Sequence, residues 1–182
     1  MTVDASWEEG GDNWAVTVEG WDSEGYRFQL ETRSNSDGQE GWLDAASEMD
    51  AFWRPRAIGF DGAAYQNRAI QNLMRYDPRL RRLRPRMTKV PTPQTSKPYR
   101  IKQFVAEPLK MFKILLDPRP SGIATRDEMR LYKGNGSQDG IVDSMSMAPA
   151  VARRKRSDEE TSKYSHVFAR QIDPVTGCPW AA

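Results

Sequence analysis

Residues 13–33 read NWAVTVEGWDSEGYRFQLETR, and the way this stretch pairs with itself decides what the rest of the chain must do. Trp14, Val16 and Val18 alternate with Ala15, Thr17 and Glu19; beyond a Gly-containing turn, Tyr26, Phe28 and Leu30 alternate in the same way. A period of two places successive side chains on opposite faces of a strand. Pairing Val18 with Tyr26, Val16 with Phe28 and Trp14 with Leu30 predicts an antiparallel hairpin. All six apolar side chains then share one face, and Thr17 lies opposite Arg27 on the polar face. A lone hairpin is marginal in water, so the apolar face must meet a third element or another protein. These six residues are therefore candidates for protein docking.

Working outward, residues 34–41 are a polar loop and residues 42–53 a short helix ended by Pro55. Asp61 can cap a helix over 62–76, with Tyr65, Ala69, Leu73 and Tyr76 on one stripe, and Asp77-Pro78 stops it. Pro85, Pro91, Pro93 and Pro98 predict extended backbone over 84–98. Pro108 suits the first turn of a helix over 108–116, and residues 119–150 read as irregular, with turn signals at Gly134, Gly136 and Gly140. Ser157 and Glu160 form a capping box ahead of a last helix. Its narrow stripe of Tyr164, Phe168 and Ile172 suits docking on a surface. The expected fold class is α+β: an N-terminal antiparallel hairpin or small sheet with a few short helices, joined by extended Pro- and Arg-rich arms. The segments are an acidic hairpin region (1–50), a helical segment (51–83), a basic arm (84–103), a short helix with loops (104–150), and a docking helix with its tail (151–182).

Charge is divided unevenly along the 182 residues. Residues 1–50 hold thirteen Asp or Glu against two Arg, net −11, and residues 51–182 are net +13. Between Arg54 and Lys113 fifteen basic residues face only Asp61, Asp77 and Glu107. Such a segment fits an acidic partner, either nucleic acid or a protein groove. Arginine pairs bidentately with phosphate, and the interspersed Tyr76, Tyr99, Phe104 and Phe112 can stack on bases. The candidate contacts are Arg75, Arg79, Arg81, Arg82, Arg84 and Arg86, then Lys89, Lys97, Arg100 and Lys102. A second patch, Arg153, Arg154, Lys155 and Arg156, precedes the last helix.

Side-chain chemistry of the usual catalytic kinds is sparse. His166 and Cys178 are the only residues of their types, so a structural zinc, which needs four such ligands, is excluded. KGNGSQDG (133–140) lacks the Lys-Ser or Lys-Thr of a phosphate loop, and Asp139 and Asp143 do not follow calcium-loop spacing. No cofactor or metal is expected. The acidic N-terminus without an apolar run is not a signal peptide, and no stretch is apolar enough to span a membrane. A single cysteine fits a reducing, intracellular setting or the inside of an assembled particle.

These features favour a non-enzymatic structural subunit of a large assembly, such as a ribosome-like particle, a virion or a cytoskeletal lattice. Its partners would be other protein subunits, with RNA or DNA as a further possibility. The alternative is a nucleic-acid-binding accessory protein using residues 75–113. A small carboxylate-based enzyme is the third reading, supported only by the acidic content.

Overall fold

The computed structural model describes residues 1–6, 9–61, 68–90, 96–132 and 139–152. Strands β1 (Thr2–Asp4), β2 (Glu9–Trp21), β3 (Arg27–Asp37), β4 (Ile58–Asp61), β5 (Met87–Val90) and β6 (Ile114–Leu115) form one mixed sheet. Its order is β5-β4-β1-β2-β3-β6. β1, β2 and β3 run antiparallel in succession, whereas β4 is parallel to β1, β5 to β4 and β6 to β3. The fold is α+β with an antiparallel hairpin near its N-terminus, as the sequence predicts.

The hairpin forms in a different register from the predicted one. Val16 lies opposite Arg33, Val18 opposite Glu31 and Gly20 opposite Phe28. The turn chemistry overrides the apolar matching. The Asp22 carboxylate accepts from the backbone N–H of Glu24 at 2.9 Å and of Tyr26 at 2.8 Å, and Gly25 takes the positive φ of 86°. This confines the turn to residues 22–26 and lets β2 run on to Trp21. A bulge after Val18 leaves Leu30 without a ladder partner and restores the faces beyond it. Trp14, Val16 and Val18 therefore still share one buried face, against which Leu30 packs.

That face is covered from within the chain. Helix α1 (Gly38–Trp53) lays Trp42, Leu43, Ala46 and Met49 on it. Helices α2 (Arg68–Tyr76) and α3 (Pro78–Leu83) add Ile70, Met74, Leu80 and Leu83 to the same core. The Asp77 carboxylate accepts from the Arg79 backbone N–H at 2.8 Å, capping α3. Asp61 ends β4, and the start of the helix predicted over 62–76 lies outside the described residues, which resume at Arg68.

The opposite face is covered by α7 (Gly140–Ala152), flanked by α4 (Lys97–Ile101) and α6 (Pro120–Leu131). Both long helices fall where the sequence reads as irregular. Every residue from Gly140 to Pro149 is buried, so no polar side marks the helical period. Of the predicted extended arm, Arg84–Arg86 form a 3₁₀ turn, Met87–Val90 are extended as strand β5, residues 91–95 lie outside the described ones, and Pro98 sits in the first turn of helix α4. After α4 the chain makes a π-turn (Lys102–Ala106) and short helix α5 (Glu107–Lys110). Phe112 then takes a left-handed φ of 54°, and residues 114–115 pair with β3 instead of continuing a helix.

Between α7 and the sheet lies a buried polar layer. The Thr17 and Ser144 hydroxyls are 2.7 Å apart, and Gln29 Nε2 donates to Thr32 Oγ1 and Thr125 Oγ1, both at 2.6 Å. Arg27 pairs with Glu19 and donates to the carbonyls of Phe104 and Met145. Pairing of this kind offsets the cost of taking polar groups out of water and fixes one arrangement of helix on sheet. No helix among the described residues is long and apolar enough to cross a membrane.

Candidate functional site

β1 is where the chain changes direction across the sheet: it leaves toward β2 on one side, and β4 returns on the other. In open sheets, the carboxyl ends of parallel strands at such a switch point frame a ligand crevice. Here both strands end in an aspartate. Val3 is in register with Phe60, so Asp4 and Asp61 stand abreast, one residue further along. Val3 and Phe60 point into the α1 core, so the alternation turns Asp4 and Asp61 toward α7.

The start of α7 brings two more carboxylates. Asp139 and Asp143 are both buried, and the Asp139 carbonyl accepts the Asp143 N–H at 2.8 Å, so the two are one turn apart. Glu128 on α6 accepts the Val142 N–H at 2.8 Å and so fixes this helix end. Two cations from α4 enter the cluster. Lys97 Nζ lies 2.8 Å from Asp139 Oδ1 and 3.2 Å from Asp143 Oδ2. Arg100 pairs with Asp143 and donates through Nε to Ser146 Oγ at 2.8 Å.

The electrostatics follow from burial and crowding. Burial, then Asp143, pushes the Asp4 carboxyl up to about 8; Asp61 and Asp139 add to this and Lys97 opposes it. Burial raises Glu128 to about 7 against the hydrogen bonds it accepts. Burial alone would lower the Lys97 ammonium, but Asp139, Asp143 and Asp4 hold it above its ordinary value. The Tyr132 hydroxyl is raised by burial and then by Asp139, and it has no hydrogen-bond partner among the described residues. Among those residues no three His, Cys, Asp or Glu side chains converge on one ion-sized position. Lys97 holds the space between two of the carboxylates instead.

The sequence-predicted contacts divide between the two faces. Arg79, Arg82 and Arg86 clasp α1. Arg79 binds Asp44 at 2.6 Å and Glu40 at 2.9 Å, Arg82 the Ser47 carbonyl at 2.7 Å, and Arg86 the buried Asp50 at 2.6 Å. Arg81, Arg84 and Lys102 are exposed, Lys89 is half-buried on β5, and Arg75 lies over the Tyr76 ring at 5.5 Å. Lys97 and Arg100 alone of these residues enter the carboxylate cluster. Of the docking residues, Trp14, Val16 and Val18 are buried under α1, Phe28 and Leu30 are half-buried, and Tyr26 holds Lys113 over its ring at 3.8 Å. Residues 153–156, Tyr164, Phe168 and Ile172 lie outside the described residues, as do His166 and Cys178.

Sequence reasoning missed Asp4, read Asp61 as a helix cap, and weighed Asp139 and Asp143 only for a calcium loop whose spacing they do not follow. One signal was available. TVDA and GFDG both carry an apolar residue, an aspartate and then a small residue, as expected where a buried strand ends at a site. No family model matches the chain, and no curated protein matches it either.

Proposed function

We propose that this protein is a nucleic-acid-binding accessory protein that uses the basic run between residues 75 and 113. One observation carries it: Arg81, Arg84 and Lys102 are exposed along a segment in which fifteen basic residues face three acidic ones between Arg54 and Lys113. Exposed cations in such excess suit an anionic polymer, whose phosphates they neutralise as counterions leave. Arg79 and Arg86 are already paired with carboxylates of α1, so they shape this surface from behind.

The test is binding of the full chain to labelled single-stranded RNA and duplex DNA across a series of salt concentrations. Log affinity that falls linearly with log salt, with a slope flattened by Arg81→Gln together with Arg84→Gln, is expected. No binding by folded wild-type protein at low salt, or a slope unchanged by both substitutions, removes this reading.

A second reading keeps the chain as a subunit of a larger assembly, and it has its own support. Met111 and Phe112 are 69% and 78% exposed beside the short edge strand β6. Large apolar side chains left in water together favour a protein neighbour. Sedimentation of native lysate with and without nuclease tests it. Nuclease-resistant migration with a heavy particle supports it, and a light monomer in both samples removes it.

A further inference from the structure

We propose that the polymer this protein takes is single-stranded, and that Phe112 and Tyr99 are the platforms on which its unpaired bases stack. The inference rests on the nucleic-acid-binding reading above and adds to it a strand type and a place.

Residues 97–110 run as one helical ribbon, made of α4, the π-turn and α5 and roughly 20 Å long. Arg100, Ile101 and Val105 bury one side of it. Lys102 and Lys110 lie in water, Tyr99 is 53% exposed near the start of the ribbon, and Phe112 follows its end.

Phe112 is a costly choice for that position. The Met111 N–H donates to the Glu107 carbonyl at 3.0 Å, and the Lys113 N–H reaches back to the Pro108 carbonyl at 2.8 Å. These bonds close the ribbon with Phe112 in the left-handed region, at φ 54°. Helices that end this way usually place Gly or Asn there, because a Cβ crowds the neighbouring carbonyl. The Phe112 ring is 78% exposed, so burial does not offset the strain. Backbone strain that the fold does not reward gathers at ligand contacts.

Charge selects the occupant. Between Lys97 and Lys113 the one acid is Glu107, already paired with Lys110 at 3.1 Å. Lys113 lies over the Tyr26 ring at 3.8 Å, next in sequence to Phe112. A second copy would set like charge against like, whereas an anionic strand meets these lysines with its phosphates. A duplex hides the faces of its bases in its own stack. A single strand offers base faces and phosphates together, which is what rings interleaved with lysines can hold.

The test is binding of the full chain to a labelled single-stranded oligonucleotide and to the duplex of the same sequence, at one salt concentration. Wild type should prefer the single strand by about fivefold or more. Phe112→Gly should weaken single-strand binding about 5- to 150-fold and leave duplex binding unchanged, while Phe112→Trp keeps both. Phe112→Gly should also raise the melting temperature of the free protein by about 2–4 °C, since glycine takes the left-handed turn without strain. Tyr99→Ala is the second variant, in case Phe112→Gly does not fold, and it should weaken the single strand in the same way. Equal wild-type affinity for the two strand types overturns the stacking role and leaves the nucleic-acid reading in place. So does single-strand binding that neither variant changes. Phe112→Gly that frees the chain from a heavy particle without touching nucleic-acid affinity makes the ring a protein contact, and the proposal falls. No binding of either nucleic acid by the folded chain at low salt sinks both readings.

Discussion

Gly59 lies so close beneath Val151 that a Cβ placed on it would collide with Val151 Cγ2, and would come within 2.8 Å of Val90 Cγ2. Gly59 sits two residues before Asp61 on β4, and Val151 is on the helix whose first turn carries Asp143. The seating of the C-terminal end of α7 on β4 therefore depends on a missing methyl group. Closeness of this kind leaves no slack, since protein interiors are packed at near-crystalline density.

Gly59→Ala should cost about 1–3 kcal/mol, the usual penalty for overpacking a filled core. Val151→Ala in the same chain should recover part of that loss, because it removes the methyl in collision. Urea denaturation of the two single variants and the double variant makes the comparison. Strict additivity would show that α7 does not press on β4 at this point.

The Asp4 carboxyl gives the protein a pH dependence whose sign is fixed. Its value in the fold is about 8, against an ordinary carboxylate near 4. Below about pH 4 both folded and unfolded chains carry the proton, and Asp4 costs nothing. Between those values the folded chain keeps a proton that the unfolded chain has lost, so stability declines as pH rises. Above about 8 the penalty is complete, on the order of a few kcal/mol. Asp4→Asn lacks this penalty. Its melting temperature should match wild type at pH 4 and exceed it increasingly toward pH 8. Parallel melting curves across that range would show that Asp4 titrates as it does in water.

Parts of this architecture are legible in the sequence and parts are not, for physical reasons. The alternation through Trp14, Val16 and Val18 marks a strand with one apolar face, and that face is buried. Register is not legible, because the Asp22 carboxylate and Gly25 close the turn earlier than apolar matching suggests. Helix α7 is hidden by its own burial. Ser144 and Ser146 are as fully enclosed as Met145 and Met147, which erases the contrast that marks a helical face. The site is the least visible part. Asp4 and Asp143 are separated by most of the chain, and only the parallel pairing of β1 with β4 and the seating of α7 bring them together. The basic run is plain as charge and incomplete as structure, since three of its arginines find partners among the acidic residues of α1.

Those three arginines give the last prediction. Asp50 is buried, and Arg86 reaches it at 2.6 Å, with Arg82 further away at 3.4 Å. Removing Arg86 leaves a buried carboxylate with a weaker partner, so Arg86→Gln should cost about 3 kcal/mol. Arg79 pairs with three carboxylates, of which Glu40 and Asp44 are largely in water, and Arg79→Gln should cost about 1 kcal/mol or less. Neither should change how nucleic-acid affinity depends on salt, because both cations are already neutralised within the fold. Arg81 and Arg84 are exposed beside them on the same short run. If phosphates bind on this surface, Arg81→Gln with Arg84→Gln should flatten the plot of log affinity against log salt by about 0.9 for each phosphate no longer neutralised. The comparison separates two roles for one basic stretch. A flatter slope in Arg79→Gln or Arg86→Gln would mean that the clasp on α1 opens when nucleic acid binds, freeing its arginines for phosphate.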